Sequence, residues 1–111
     1  MTIQVTKLQE LASSVSEHHK HIVISELNDK YFAKLAVNSK PYPWHYHSNS
    51  DELLVVLEGK LIVETRDGEK RELELFDSIF IPCGMEHRTS PVGRAVNLVI
   101  ENMDTDTVFT E

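Results

Sequence analysis

The chain has 111 residues, a length that suits one globular domain with a single hydrophobic core. It carries 18 acidic residues against 11 lysines and arginines, a net charge of -7 without any basic cluster, which argues against nucleic acid or an anionic membrane as a partner. The single cysteine excludes an internal disulfide, and the absence of a signal peptide or a long apolar run favours a cytoplasmic protein.

One short amphipathic helix is predicted near the start of the chain, over about residues 6–17. Apolar residues recur there at helical spacing, and a capping box is expected to begin at Thr6. A histidine-rich segment follows the helix, with His18, His19 and His21. This segment is interpreted as a solvated connection, and adventitious metal binding is the alternative.

The rest of the chain is predicted to form short β-strands separated by turn residues. Hairpins are expected at Asn28–Asp29, Glu58–Lys60 and Asp67–Gly68, because each lies between two runs of strand-forming residues. The predicted strands are 21–27, 31–37, 53–57, 61–65, 71–75, 78–82 and 95–101. The polar tail over 103–111 is expected to be mobile or to pack on a neighbouring surface. This pattern predicts an all-β sandwich or barrel in a single domain of residues 1–111.

Four side chains along these strands form a candidate metal site. His45 and His47 are two residues apart, so they share one face of an extended segment. Glu52 opens the next strand, where strand pairing can direct its carboxylate to the same point, and His87 follows the Pro82–Gly84 turn. Three imidazoles and one carboxylate suit one divalent transition metal per chain, which could be Zn, Fe, Mn, Ni or Cu. In a six-coordinate ion, two positions remain for water or substrate.

The spacing of these residues resembles the two sequence motifs of the cupin family. The first motif, His-x-His, four residues, Glu, six residues and Gly, is matched from His45 to Gly59. The second, Pro-x-Gly-x-x-His, is matched from Pro82 to His87. Within cupins, both segments are most similar to a group of small bacterial proteins loosely labelled mannose-6-phosphate isomerase-like. The resemblance implies a double-stranded β-helix, or jelly-roll barrel, whose core covers about residues 22–101.

The same resemblance implies a metal-binding protein with a pocket for a small-molecule ligand or substrate. One hypothesis is a metal-dependent enzyme of dioxygenase or isomerase type, in which Glu52 is also a candidate acid or base. The alternative is a non-catalytic module that binds a metabolite or holds a structural metal. An exposed sheet edge and an apolar outer face further favour a homodimer.

Other side chains near the motifs receive structural interpretations. Cys83 is expected to pack, Asp51 to form a turn, and Arg88 to point away from the metal because of strand alternation. Three aromatic residues are expected to be buried in the barrel core: Tyr42, Trp44 and Tyr46. The alternative is that they line the mouth of the pocket.

Overall fold

A computed structural model describes residues 2–111 as eight β-strands and one helix. The helix, α1, covers Leu8–Ser13. The strands are β1 (His19–Leu27), β2 (Tyr31–Asn38), β3 (Tyr42–Tyr46), β4 (Glu52–Thr65), β5 (Lys70–Leu73), β6 (Ser78–Ile81), β7 (His87–Asn102) and β8 (Val108–Phe109). Among these elements, the one helix is too short to cross a membrane. The prediction of an all-β fold with one short helix is confirmed.

The sheet is organised around β4 and β7, two long antiparallel strands that pair along most of their length. Their register runs from Glu52 opposite Glu101 to Thr65 opposite His87. Each long strand has different partners at its two ends: β4 pairs with β6 and then β5, and β7 pairs with β3 and then β2. Two bent strands that serve both halves of the barrel produce the predicted double-stranded β-helix.

The predicted hairpin at Glu58–Lys60 is wrong, because the chain continues through these residues as one strand, β4. Gly59 has a φ of 75°, and the ladder between β4 and β7 shifts register on both sides of it. A Cβ atom at Gly59 would overlap the carbonyl oxygen of Arg94. The glycine therefore marks a bulge that bends a long strand, and not a turn that ends one.

The helix is shorter than the predicted residues 6–17, and the capping box at Thr6 does not form. Lys7 occupies the N-cap position and makes no side-chain capping bond. The guanidinium of Arg94 donates a hydrogen bond to the carbonyl of Ala12 near the end of the helix. The helix covers the outer wall of the barrel. Its side chains join an apolar cluster there, whose buried residues are Ala12, Val15, Leu35, Val37 and Val96.

A second apolar cluster fills one end of the barrel interior. Its buried residues are Ala36, Leu54, Val56, Leu61, Val63, Leu73, Ile81, Ala95 and Val99. Because side chains alternate along a strand, the same inward rows of β2, β4 and β7 continue into polar residues at the other end. Those polar residues form the site described next.

Candidate metal centre

The four side chains singled out by the motif spacing lie close together inside the barrel. His45 on β3 is directly opposite His87 on β7, Glu52 is the first residue of β4, and His47 immediately follows β3. The potential ligand atoms of the three histidines lie within 4.8 Å of one another. All four side chains are buried.

All three imidazoles make the same hydrogen bond to the main chain. The distances from Nδ1 to the carbonyl oxygen are 2.7 Å for His45 to Pro43, 2.7 Å for His47 to Asp106 and 2.9 Å for His87 to Met85. Because a carbonyl oxygen only accepts, Nδ1 carries the proton in each ring and Nε2 presents a lone pair. Histidines that bind metal through Nε2 are commonly held in this way.

The Nε2 atom of His47 lacks a partner that its burial requires. It makes no hydrogen bond within residues 2–111, although a buried polar atom without a partner costs free energy. The Glu52 carboxylate is 3.6 Å from Nε2 of His47 and 3.6 Å from Nε2 of His87, too far for hydrogen bonds. Atoms that each lie about 2.1 Å from one ion are about 3 Å or more apart. These residues therefore fit a cation held between them.

The protonation states of the site also suit a cation. Burial lowers the pKa of His45 to about 4, and the neighbouring rings of His87 and His47 lower it further, against the opposing hydrogen bond to Pro43. His45 is therefore neutral at pH 7, as a ligand must be. Burial raises the pKa of Glu52, but the positive charges that His87 and His47 carry when protonated outweigh burial and hold the pKa below its ordinary value. A bound cation would act on Glu52 in the same direction.

A second buried carboxylate, Glu101, belongs to the site although neither motif contains it. It lies directly opposite Glu52 on β7, and its carboxylate is within 4.8 Å of the ligand atoms of His47 and Glu52. The Lys34 ammonium donates to Glu101 at 2.7 Å. Burial raises the pKa of Glu101, the negative charge of Glu52 raises it further, and Lys34 opposes both. The available sequence signal was an acid on the inward row of an otherwise apolar strand.

A cavity of about 250 Å³ adjoins the histidines, and polar side chains form much of its wall. His19 and His21 line it and are both exposed, so the predicted solvation of the histidine-rich segment agrees with the structure, but these two residues lie on a strand and not in a connection. Because β1 begins at His19, alternation places His19 and His21 on the same face of the strand, the face that borders the cavity. His18 lies outside the cavity and hydrogen-bonds Ser39 at 2.8 Å.

Of the three aromatic residues near the first motif, only Tyr42 lines this cavity. Its ring stacks on His19 with a centroid distance of 4.7 Å and meets His45 edge-on at 4.9 Å. Trp44 is half-buried beneath the guanidinium groups of Arg66 and Arg88, at 4.1 and 4.8 Å from its ring centre. The core is therefore the wrong expectation for Trp44, which covers the outer wall of the barrel.

Three other interpretations can be compared with the structure. Arg88 points away from the histidines and donates to Glu64 at 2.8 Å. The prediction that Cys83 packs is wrong, because the residue is exposed. Its main-chain N–H donates to the carboxylate of Asp51 at 2.9 Å. Asp51 thus helps to hold the turn that leads to His87.

The C-terminal tail packs against β3 and completes the site. His45 and Tyr46 pair with Phe109 and Val108 of β8. The Asp106 carbonyl accepts the Nδ1–H of His47, and the Asp106 carboxylate accepts hydrogen bonds from the main-chain N–H of Ser48, at 2.7 Å, and from its hydroxyl. Nothing in the local composition of the tail indicates this role, because the contacts bridge almost sixty residues.

Comparisons with known proteins agree with this architecture. Residues 31–101, well over half of the chain, match the cupin domain family. The Bacillus subtilis (strain 168) protein YdbB, which is uncharacterised, is 43% identical over 110 residues and covers 96% of both chains.

Solved structures share the fold. A cupin-2 domain containing protein from Shewanella frigidimarina has a TM-score of 0.78 and 30% identity, covering 87% of this chain and 92% of that one. The DMSP lyase DddQ from Ruegeria pomeroyi has a TM-score of 0.71 and 20% identity, covering 84% of this chain and 52% of that one. The barrel topology, the two motifs and the family match lead to one conclusion: the chain belongs to the cupin domain family.

Proposed function

We propose that this cupin holds one divalent transition metal per chain through His45, His47, Glu52 and His87. The observation that carries the proposal is the set of three Nδ1–H bonds to main-chain carbonyls, which leaves three Nε2 lone pairs in one small volume. The unpaired Nε2 of His47 supports it independently. When bound, the ion would supply a Lewis acid with open positions for a ligand.

We infer further that the adjoining cavity accepts a small molecule and that the protein is an enzyme. Two carboxylates border the cavity, and their surroundings move their pKa values apart, down for Glu52 and up for Glu101. Such pairs commonly divide the roles of proton acceptor and proton donor between them. We therefore assign acid–base chemistry of isomerase or lyase type, with Glu52 as the acceptor, Glu101 as the donor and Lys34 holding Glu101 in place.

The fold is compatible with this chemistry, since the similar barrel of the Ruegeria pomeroyi protein is that of a lyase. Oxygen chemistry of dioxygenase type is the second candidate, because an N₃O ligand set also suits redox-active ions. The ion with which the reconstituted protein is active separates the two. Activity with zinc would favour isomerase or lyase chemistry, whereas activity only with iron, copper or manganese would favour oxygen chemistry.

Elemental analysis of protein purified without an affinity tag tests the proposal. The wild type should carry about one equivalent of metal per chain, and His47→Ala should carry almost none. His18→Ala is the matched control, because that imidazole lies outside the cavity and binds Ser39. Full metal content in His47→Ala, or equal loss in both variants, would overturn the proposed site.

A further inference from the structure

The side chain of Asn97 has an unmet need for hydrogen bonds inside the cavity. It is 1% exposed, and neither its Oδ1 nor its Nδ2 has a partner within residues 2–111. Its cross-strand neighbours are Ala36 on β2 and Val56 on β4, which offer no polar side chain. Because both atoms lack partners, the need is the same whichever way the amide is turned.

A second amide lines the same cavity. Asn38 is 7% exposed, and its Oδ1 also has no partner in the described chain. Native proteins rarely leave buried amides unsatisfied, because each lost hydrogen bond costs stability. Two such residues on neighbouring strands around one cavity are typical of a surface built for a ligand.

The amide atoms without hydrogen-bond partners determine which donors and acceptors a ligand must carry. The Oδ1 atoms of Asn38 and Asn97 require donors, and Nδ2 of Asn97 requires an acceptor. A hydroxyl group meets both needs of Asn97, since its oxygen accepts and its proton is donated. A second hydroxyl satisfies Asn38, so the pattern calls for at least two hydroxyl groups.

The charge and the size of the cavity narrow the class of ligand further. In the proposed metal-loaded site, a divalent ion and Lys34 outweigh the carboxylates of Glu52 and Glu101, which favours an anionic ligand. The cavity of about 250 Å³ has room for about eight water molecules at about 30 Å³ each. Small hydroxy acids such as glycerate or erythronate fall within that size.

We propose that Asn97 and Asn38 form a hydroxyl-recognition subsite, and that the cavity takes a small polyhydroxylated carboxylate. This inference rests on the proposed function, since it assumes that the ligand shares the cavity with the metal. The two amides are specificity-determining residues that bind the hydroxyl groups, while the charged end of the cavity receives the carboxylate.

The first test measures stability without ligand. Asn97→Leu replaces an unsatisfied amide by an apolar group of similar shape, so the variant should melt at the same temperature as the wild type or higher. Asn102→Leu is the matched control on the same strand, because the Asn102 amide donates to the carbonyl of Asn49 at 2.8 Å and its loss should lower the melting temperature. A lower melting temperature for both Asn97→Leu and Asn97→Ala, of which the second cannot overfill the cavity, would mean that Asn97 has a structural role, which would overturn the subsite.

The second test measures ligand binding by calorimetry on metal-loaded protein, with two matched pairs: glycerate against propionate, and erythronate against butyrate. The wild type should bind a hydroxylated member at least about tenfold more tightly than its deoxy counterpart. Asn97→Leu should lose that preference while keeping its metal, and Asn97→Ala, which cannot overfill the cavity, should do the same.

The outcomes separate the two proposals. Wild-type protein that contains no metal contradicts the proposed function. Protein that contains metal but shows no preference in either pair, or a preference that survives in both Asn97 variants, overturns the subsite and leaves the metal centre intact.

Discussion

Glu52 on β4 and Glu101 on β7 are direct cross-strand neighbours, and both are buried. Like charges in this position destabilise an antiparallel sheet. Lys34 offsets the charge of Glu101 at 2.7 Å, and a cation among the histidines would offset that of Glu52. The pair therefore lowers the stability of the metal-free barrel, and the same negative charges attract a cation to the site.

The first prediction concerns the pH dependence of stability in the chelated protein. Because folding raises the pKa of Glu101 above 4.5, the folded state binds this proton more tightly than the unfolded state. Glu101 therefore stabilises the wild type progressively as the pH falls towards 4.5, an effect that Glu101→Gln lacks. Urea unfolding measures this effect. The free energy of unfolding of the wild type, relative to that of Glu101→Gln, should be larger at about pH 5 than at about pH 7. A difference that does not change with pH would contradict the assignment.

A second prediction concerns the tail. Asp106→Ala removes the acceptor of two hydrogen bonds from Ser48 and loosens the carbonyl that orients His47. Changes to such supporting groups typically weaken metal binding by about 10- to 100-fold, and we expect a loss in that range. Competition with a chromogenic chelator measures it. Asp104→Ala is the control, because the exposed Asp104 offers only its main-chain carbonyl, to Asn49. Equal affinity in both variants would refute the orienting role.

The third prediction tests the bulge in β4. Gly59→Ala combines a positive φ with overlap against the carbonyl of Arg94, whereas Gly68→Ala has a similar φ and open space around it. We expect the free energy of unfolding to fall by about 1 kcal/mol for Gly68→Ala and by roughly 3 kcal/mol for Gly59→Ala. Chemical denaturation gives both values, and equal losses would show that the close approach is unimportant.

The fourth prediction is that the metal is not required for folding. Two apolar clusters, inside the barrel and beneath the helix, provide a core without any ion. Chelated protein and His47→Ala should therefore give a β-type circular dichroism spectrum and a cooperative melt, with at most a modest fall in melting temperature. Domains that depend on a structural zinc behave differently and unfold without it. An unfolded spectrum at room temperature for either sample would assign the metal a structural role.

The fifth prediction is a homodimer, which the sequence favours and which we propose to form through the outer face of three strands. On that face Leu53 of β4 pairs with Phe80 of β6 on one side and with Ile100 of β7 on the other. Leu53 is 37% exposed and Phe80 is 60% exposed, so the row offers a continuous apolar surface to a second copy.

Light scattering at micromolar concentration measures the oligomeric state. The wild type should have twice the mass of one chain, and Phe80→Glu should have the mass of one chain. Val92→Glu is the control, since Val92 is exposed to a similar extent but lies outside the row. A single-chain mass for the wild type would refute the dimer.

The features that could be predicted from the sequence follow from local rules. Alternation along a strand puts His45 and His47 on one face, and the motif spacing indicates that Glu52 and His87 lie near them. Runs of β-branched and aliphatic residues likewise predict most of the strands, because these side chains suit a half-buried pleated surface.

The remaining features depend on how distant segments meet. The bulge at Gly59 looks like a turn in the sequence, because a glycine with a positive φ serves both structures. Whether His19 and His21 face the cavity depends on where β1 begins, which pairing with β2 decides. Asp106 reaches Ser48 only through the closed barrel, so its role has no local signature.

The hydrogen bonds that hold the three imidazoles affect which metal ion the site binds. Each ring is already fixed by a hydrogen bond to a main-chain carbonyl, so the rings have little rotational entropy left to lose when an ion binds. Such preorganised nitrogen ligands bind several first-row ions in the general order that rises from manganese to copper. Correct metallation would then depend on which ions the cell keeps available. Cultures supplied with different metals should yield the same barrel loaded with different ions.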